Sequence, residues 1–178
     1  MDLIAGRRAR LFNGKAWIDR ATAALAAFVG IALAGCGAPR AAPSCDTSAG
    51  AVAHAAEYLI DRDNARDLAG VLAGYTGDVT WYPPAGAPLH GIEAIRPRYE
   101  QLFANFAVAL RSDALEATGN GATGYVIGTT QGTLTPLDGG QAVEVDDRFV
   151  AIVRCAAGEW KVSRLIWNPR VPVEAPAG

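Results

Sequence analysis

Apolar side chains recur at helical spacing from residue 51 onward. Val52, Ala55, Ala56, Leu59 and Ile60 fall on one face, and Glu57, Asp61 and Arg62 on the other. That periodicity predicts a helix, and Asp63-Asn64 interrupts it. A second short helix is predicted next, with Leu68, Val71, Leu72 and Tyr75 as its apolar face. The run Asp78-Val79-Thr80-Trp81-Tyr82 is β-prone and is stopped by Pro83-Pro84, so it reads as a short strand. Residues 83–90 read as a loop. A third helix opens at Gly91-Ile92-Glu93-Ala94-Ile95, with Ile95, Tyr99, Leu102, Phe103 and Phe106 as its apolar positions. Pro97 is tolerated only near a helix start, so the regular helix is expected to begin at Ile95 or Arg96.

The remainder alternates in the β manner. Strands are predicted over 110–117, 122–133, 141–155 and 160–168, with turns at Gly119-Asn120-Gly121, Asp138-Gly139-Gly140 and 156–159. The order is helix, helix, strand, helix, then four strands joined by hairpins. It predicts an α+β fold, a cone-like curved antiparallel β-sheet wrapped around N-terminal helices. Gly124, Gly128 and Gly132 share one face of the second long strand, a spacing that permits strong curvature. A sheet curved around a helix encloses a cavity.

The first fifty residues have a different pattern. Arg7, Arg8, Arg10, Lys15 and Arg20 precede an apolar run over 21–34. That run is shorter than the ~20 residues a membrane span needs. A basic segment, a short apolar run and small residues form the layout of a secretory signal. Its end, Leu33-Ala34-Gly35-Cys36, resembles the lipobox of bacterial lipoproteins. The resemblance implies acylation of Cys36, which becomes the mature N-terminus, and a protein exported and lipid-anchored to the bacterial cell membrane, on its outer or periplasmic side. The expected organisation is a signal peptide at 1–35, a flexible tether rich in Gly, Ala, Pro and Ser at 36–50, one domain at 51–169, and a loose tail at 170–178.

Charge and cysteines narrow the chemistry. Without residues 1–35 the chain holds 11 basic and 16 acidic residues, a net charge of −5. That balance argues against nucleic acid, whose phosphates need neutralising by Lys and Arg. With Cys36 lipidated, Cys45 and Cys155 remain as the expected disulfide in an oxidising compartment, although sequence does not say whether their Cα atoms come within reach. No C-x-x-C occurs, and the two histidines, His54 and His90, are far apart. No metal site and no cofactor are expected. Gly-x-Ser-x-Gly, phosphate-loop and dinucleotide motifs do not occur in the sequence.

The element order, together with Tyr58, Asp78-Val79-Thr80-Trp81-Tyr82-Pro83 and Gly91-Ile92-Glu93-Ala94-Ile95-Arg96, resembles the NTF2-like superfamily (a cystatin-like roll), in its SnoaL-like and ketosteroid-isomerase-like branch. Trp160-Lys161-Val162 and Trp167-Asn168-Pro169 are similar to a bacterial branch of unknown activity. The resemblance covers nearly all of 51–169. Ketosteroid isomerases use a tyrosine on the first helix, a protonated aspartate on a late strand and an aspartate base at the end of the first strand. Carried over, these fall at Tyr58, Asp147 and Tyr82, so the carboxylate base is replaced by tyrosine.

Asp147 also stands out without the family. Val143, Val145, Asp147, Phe149, Ala151, Val153 and Cys155 share one strand face, and an acid on a mostly apolar face is a local inconsistency typical of functional sites. Asp147 is either a ligand-facing acid whose neutral form burial favours or a structural partner of Arg164 or a tyrosine hydroxyl. Tyr58 is either a cavity residue or a core tyrosine. Of the neighbours Trp81 and Tyr82 only one faces inward, and parity with the family favours Tyr82. Tyr99 and Phe103 are core residues or ligand stackers, and Trp167 either roofs the cavity or seals a dimer. The ligand-binding set expected for the cavity is Tyr58, Tyr82, Tyr99, Phe103, Asp147 and Trp167, with no catalytic residue assigned. The expected function is binding of a small, mostly apolar molecule or service as an interaction module, including a homodimer through the sheet. The alternative is an enzyme of proton-transfer or hydration chemistry.

Overall fold

The computed structural model describes residues 44–170. The expected signal peptide (1–35), the expected acylation site Cys36, the expected tether as far as residue 43, and all of the expected tail (170–178) except Arg170 lie outside the described residues. Among the described residues, α1 (Ala49–Asn64), α2 (Leu68–Ala73), β1 (Tyr75–Tyr82), β2 (Leu89–His90), α3 (Ile92–Asn105), β3 (Phe106–Asn120), β4 (Thr123–Pro136), β5 (Val143–Ala156) and β6 (Glu159–Pro169) follow in that order. One sheet contains the strands in the order β2-β1-β6-β5-β4-β3. It is antiparallel except where β1 runs parallel to β6.

Segment 44–50 is not a tether. Cys45 is buried and disulfide-bonded to Cys155, with Cα atoms 5.8 Å apart. The Trp160 indole donates to the Asp46 carbonyl (2.7 Å), and the Ser48 hydroxyl caps α1 by accepting from the Ala51 amide (3.4 Å). α1 then buries Val52, Ala55, Ala56, Leu59 and Asp63, one stripe at helical spacing. Its last residue, Asn64, is clamped to the edge strand β3 by two 2.8 Å bonds, one from its amide to the Leu110 carbonyl and one from the Leu110 amide to its side-chain oxygen.

Several element predictions need correction. Phe106 opens β3 and does not belong to α3, which ends at Asn105, and Leu89–His90, expected in a loop, form the short strand β2. Tyr75 opens β1 and does not belong to α2, which ends at Ala73. α3 begins at Ile92, three residues before the expected start, so Pro97 lies inside it. Proline there removes the bond to the Glu93 carbonyl. Both Glu93 and Pro97 are on the exposed side of the helix, while the opposite face buries Ile95, Tyr99 and Phe103.

The sheet curves where the glycines allow it. A Cβ at Gly128 would lie 2.6 Å from the Asp113 carbonyl oxygen and 2.7 Å from the Phe149 ring. Gly132 holds φ +142°, a backbone state that side chains disfavour. The concave face closes over α1 and α3. On the convex face Tyr82, Ile166, Val150 and Ile127 align across β1, β6, β5 and β4.

Candidate functional site

A cavity of about 670 Å³ lies inside the cone. Three strands supply its floor, and their register explains what it presents. Leu110, Gly132 and Val145 stand opposite one another on β3, β4 and β5, and Ser112, Thr130 and Asp147 form the next row. The cavity is lined by Ser112, Thr130 and Asp147, so a polar band crosses an otherwise apolar floor. Gly128 lies one row further on. Having no Cβ, it leaves the Phe149 ring room to turn inward.

The walls are aromatic. Trp81 of β1 packs edge-on against Trp167 of β6 (centroids 5.4 Å) and against Tyr99 of α3 (5.2 Å). Tyr75 also meets Trp81 at 5.8 Å. The Tyr75 and Tyr99 hydroxyls share a hydrogen bond of 2.7 Å. Burial raises the pKa of both hydroxyls, so both remain protonated.

Two carboxyl groups face this space. Asp147 is half-buried, and its pKa is raised by burial and then by its neighbour Asp146. Among the described residues no hydrogen bond or ion pair engages it. Arg164, the suggested structural partner, donates instead to the carbonyls of Asp78 and Ser163. The second group is Asp63 of α1. It is 8% exposed, its Oδ1 has no hydrogen-bond partner among the described residues, and burial pushes its pKa up from 3.8 to about 7. The Ser112 hydroxyl is also buried and has no partner among the described residues. Arg98 of α3 is exposed at the rim. Among the described residues no cluster of three or more His, Cys, Asp or Glu is placed to hold a metal ion.

Of the residues expected in the cavity, Tyr99, Asp147 and Trp167 line it, whereas Tyr58, Tyr82 and Phe103 do not. Tyr58 faces α2, where its hydroxyl donates to the Gly70 carbonyl (3.1 Å) and the Arg62 guanidinium lies over its ring. It is a core tyrosine with a satisfied hydroxyl. Tyr82 is 38% exposed on the convex face, and its neighbour Trp81 is the inward residue. β1 pairs with β6 through Trp81 opposite Leu165 and Tyr82 opposite Ile166, and it is the Trp81–Leu165 row that lines the cavity. Phe103 is buried behind Tyr99, with ring centroids 5.6 Å apart.

Sequence reasoning missed Asp63. It read Asp63-Asn64 as the point where the helical pattern stops. Yet Asp63 follows Leu59 by four residues and continues the buried stripe by one turn. An acid at an apolar position of that stripe carries the same signal as Asp147 does on β5.

Residues 56–163 match the family of SnoaL-like domains. The chain belongs to that family. No curated protein matches the sequence. Among solved structures, the SnoaL-like domain is similar to a ketosteroid isomerase-like protein from Erwinia carotovora atroseptica, at 21% identity and a TM-score of 0.62, over 70% of this chain and 97% of that one. It is also similar to a candidate scytalone dehydratase from Novosphingobium aromaticivorans (10% identity, TM-score 0.64, 72% and 88% coverage). A cystatin-like domain of unknown function from Nostoc punctiforme is similar too (14%, TM-score 0.55, 70% and 78%). At these identities the likeness concerns the fold.

Proposed function

We propose that this SnoaL-like domain is exported, anchored by a lipid on Cys36, and binds a small, mostly apolar molecule in its cone. The observation that carries the binding reading is the cavity itself. At about 670 Å³ it has the size of small-molecule sites, with apolar walls and a few convergent polar groups. The polar groups include an unpartnered carboxyl and an unpartnered hydroxyl, which a ligand supplies with partners. A second reading, proton transfer or hydration on the bound molecule, is favoured by Asp63, because a carboxyl that titrates near 7 is matched to acid–base work at neutral pH. Two of the similar structures are described as dehydratase candidates, which accords with this second reading.

The binding reading is tested with N-phenyl-1-naphthylamine, which fluoresces in apolar cavities. Saturable fluorescence gain is expected with the mature protein and not with Thr130→Trp, which fills the cavity from its floor. No saturable gain with the wild-type protein rejects the reading. The anchor is tested by mass spectrometry of the membrane-extracted protein, which should carry acyl chains on an N-terminal Cys36. A mature protein that starts elsewhere rejects it.

A further inference from the structure

We infer that the molecule held in the cone is a protonated amine on an apolar body, its ammonium group seated against Asp63. The inference rests on the binding reading above and names the ligand class.

Among the described residues no ion pair or hydrogen bond engages the Asp63 carboxyl. The basic side chains nearest in sequence are occupied elsewhere: Arg62 pairs with Asp67 (3.4 Å), and Arg66 donates to the Phe103 carbonyl. Arg98 of α3 lines the cavity but is exposed at its rim. From β1 and α3 the groups closest in charge effect are the hydroxyls of Tyr75 and Tyr99, and they bond to each other. Asp147 of β5 adds a second acid. Burial acts on the Asp63 carboxyl with no basic side chain opposing it. An uncompensated buried carboxylate is costly, and a partner of opposite charge with hydrogen-bond donors relieves the cost. Among the described residues none supplies such a partner, and a protonated amine in the cavity would.

The walls fit the same ligand. Tyr75, Trp81 and Tyr99 belong to one aromatic cluster. The faces of such rings attract ammonium groups, most strongly when desolvated. Two acids and no cation inside the rim disfavour an anionic ligand by like-charge repulsion. A neutral ligand leaves Asp63 in its protonated form and gains nothing from the rings beyond apolar contact.

Three probes with one apolar body separate these cases: 1-naphthylmethylamine, its neutral isostere 1-naphthalenemethanol, and 1-naphthoate. Each is titrated into the mature protein at pH 7, read by quenching of tryptophan emission. The amine is expected to bind at least tenfold tighter than the alcohol, with the naphthoate weakest. Asp63→Asn is expected to remove the amine's advantage while the alcohol's affinity stays within about twofold. Asp147→Asn is expected to lower amine affinity by less than Asp63→Asn does. In carboxyl NMR, the Asp63 titration midpoint should fall when the amine binds and not when the alcohol does, which tests the seat without a variant. Equal affinity for amine and alcohol overturns the inference, leaves the binding reading intact, and makes Asp63 a neutral donor suited to carbonyl or hydroxyl ligands. If only Asp147→Asn removes the preference, the assignment to Asp63 is overturned. Failure of all three probes to bind overturns this inference and the binding reading together.

Discussion

Asp63 and Asp147 are both acids on faces that are otherwise apolar, and burial moves both in the same direction. Their surroundings differ. Asp63 is almost fully buried on a helix, and Asp147 is half-buried on a strand with Asp146 beside it. In the folded protein Asp63 holds its proton up to about pH 7, whereas its ordinary value is 3.8. Between those values the folded state binds more protons than the unfolded state, so its stability falls as pH rises. At ~1.36 kcal/mol per unit between the two values, and less near either of them, the loss between pH 4 and pH 7 is about 3 kcal/mol. Asp63→Asn resembles the neutral acid at every pH. It is expected to match the wild type near pH 4 and to become progressively more stable than it toward pH 8. Chemical denaturation across that range checks this, and a wild-type-to-variant difference that does not change with pH contradicts it.

At the scale of elements, the hydrophobic pattern was legible where it was long and regular. The four late strands, the first helix and the hairpin positions all follow from spacing and turn residues. β3 and β4 run three or four residues longer at some ends than the pattern indicates, because ladder bonds carry them past the last alternating residue. The errors cluster where local propensity competes with packing. Pro97 signals a helix start, but burial of Ile95, Tyr99 and Phe103 on one face holds α3 regular from Ile92. Tyr75 fits the spacing of α2, yet Gly74 ends that helix and Tyr75 begins β1. Strand parity at Trp81 and Tyr82 is set by pairing with Leu165 and Ile166 of β6, a parallel contact across more than eighty residues of chain that no local pattern contains.

At the scale of the molecule, the disulfide connects the segment before α1 to the end of β5 over a sequence separation of 110. A cross-link of that length restricts the unfolded chain strongly, by roughly 4–5 kcal/mol on the chain-entropy account. Reduction is therefore expected to lower the denaturation midpoint clearly. Thiol titration of the unfolded, unreduced protein is expected to find neither Cys45 nor Cys155 reactive, and two reactive thiols there would contradict the linkage. The bond also attaches the N-terminal lead-in to the sheet, which makes 44–50 part of the domain. A composition rich in Gly, Ala, Pro and Ser suggested a tether there, since composition carries no information about a partner 110 residues away.

The sequence by itself determined the α+β class, the order of the elements apart from the two-residue strand β2, the curved sheet and the presence of Asp147 on its inner face. Those follow from periodicities of 2 and 3.6 residues, glycine spacing and one acid out of place, all of which are local. Only the tertiary structure decided that Trp81 and not Tyr82 faces the cavity, that the Tyr58 hydroxyl is bonded to Gly70, and that Asp63 Oδ1 is buried in the cavity with no hydrogen-bond partner among the described residues. The physical reason is that inward or outward orientation, burial and the lack of a partner are relations between distant segments. They come into being when β1 docks on β6 and when α1 closes over β3.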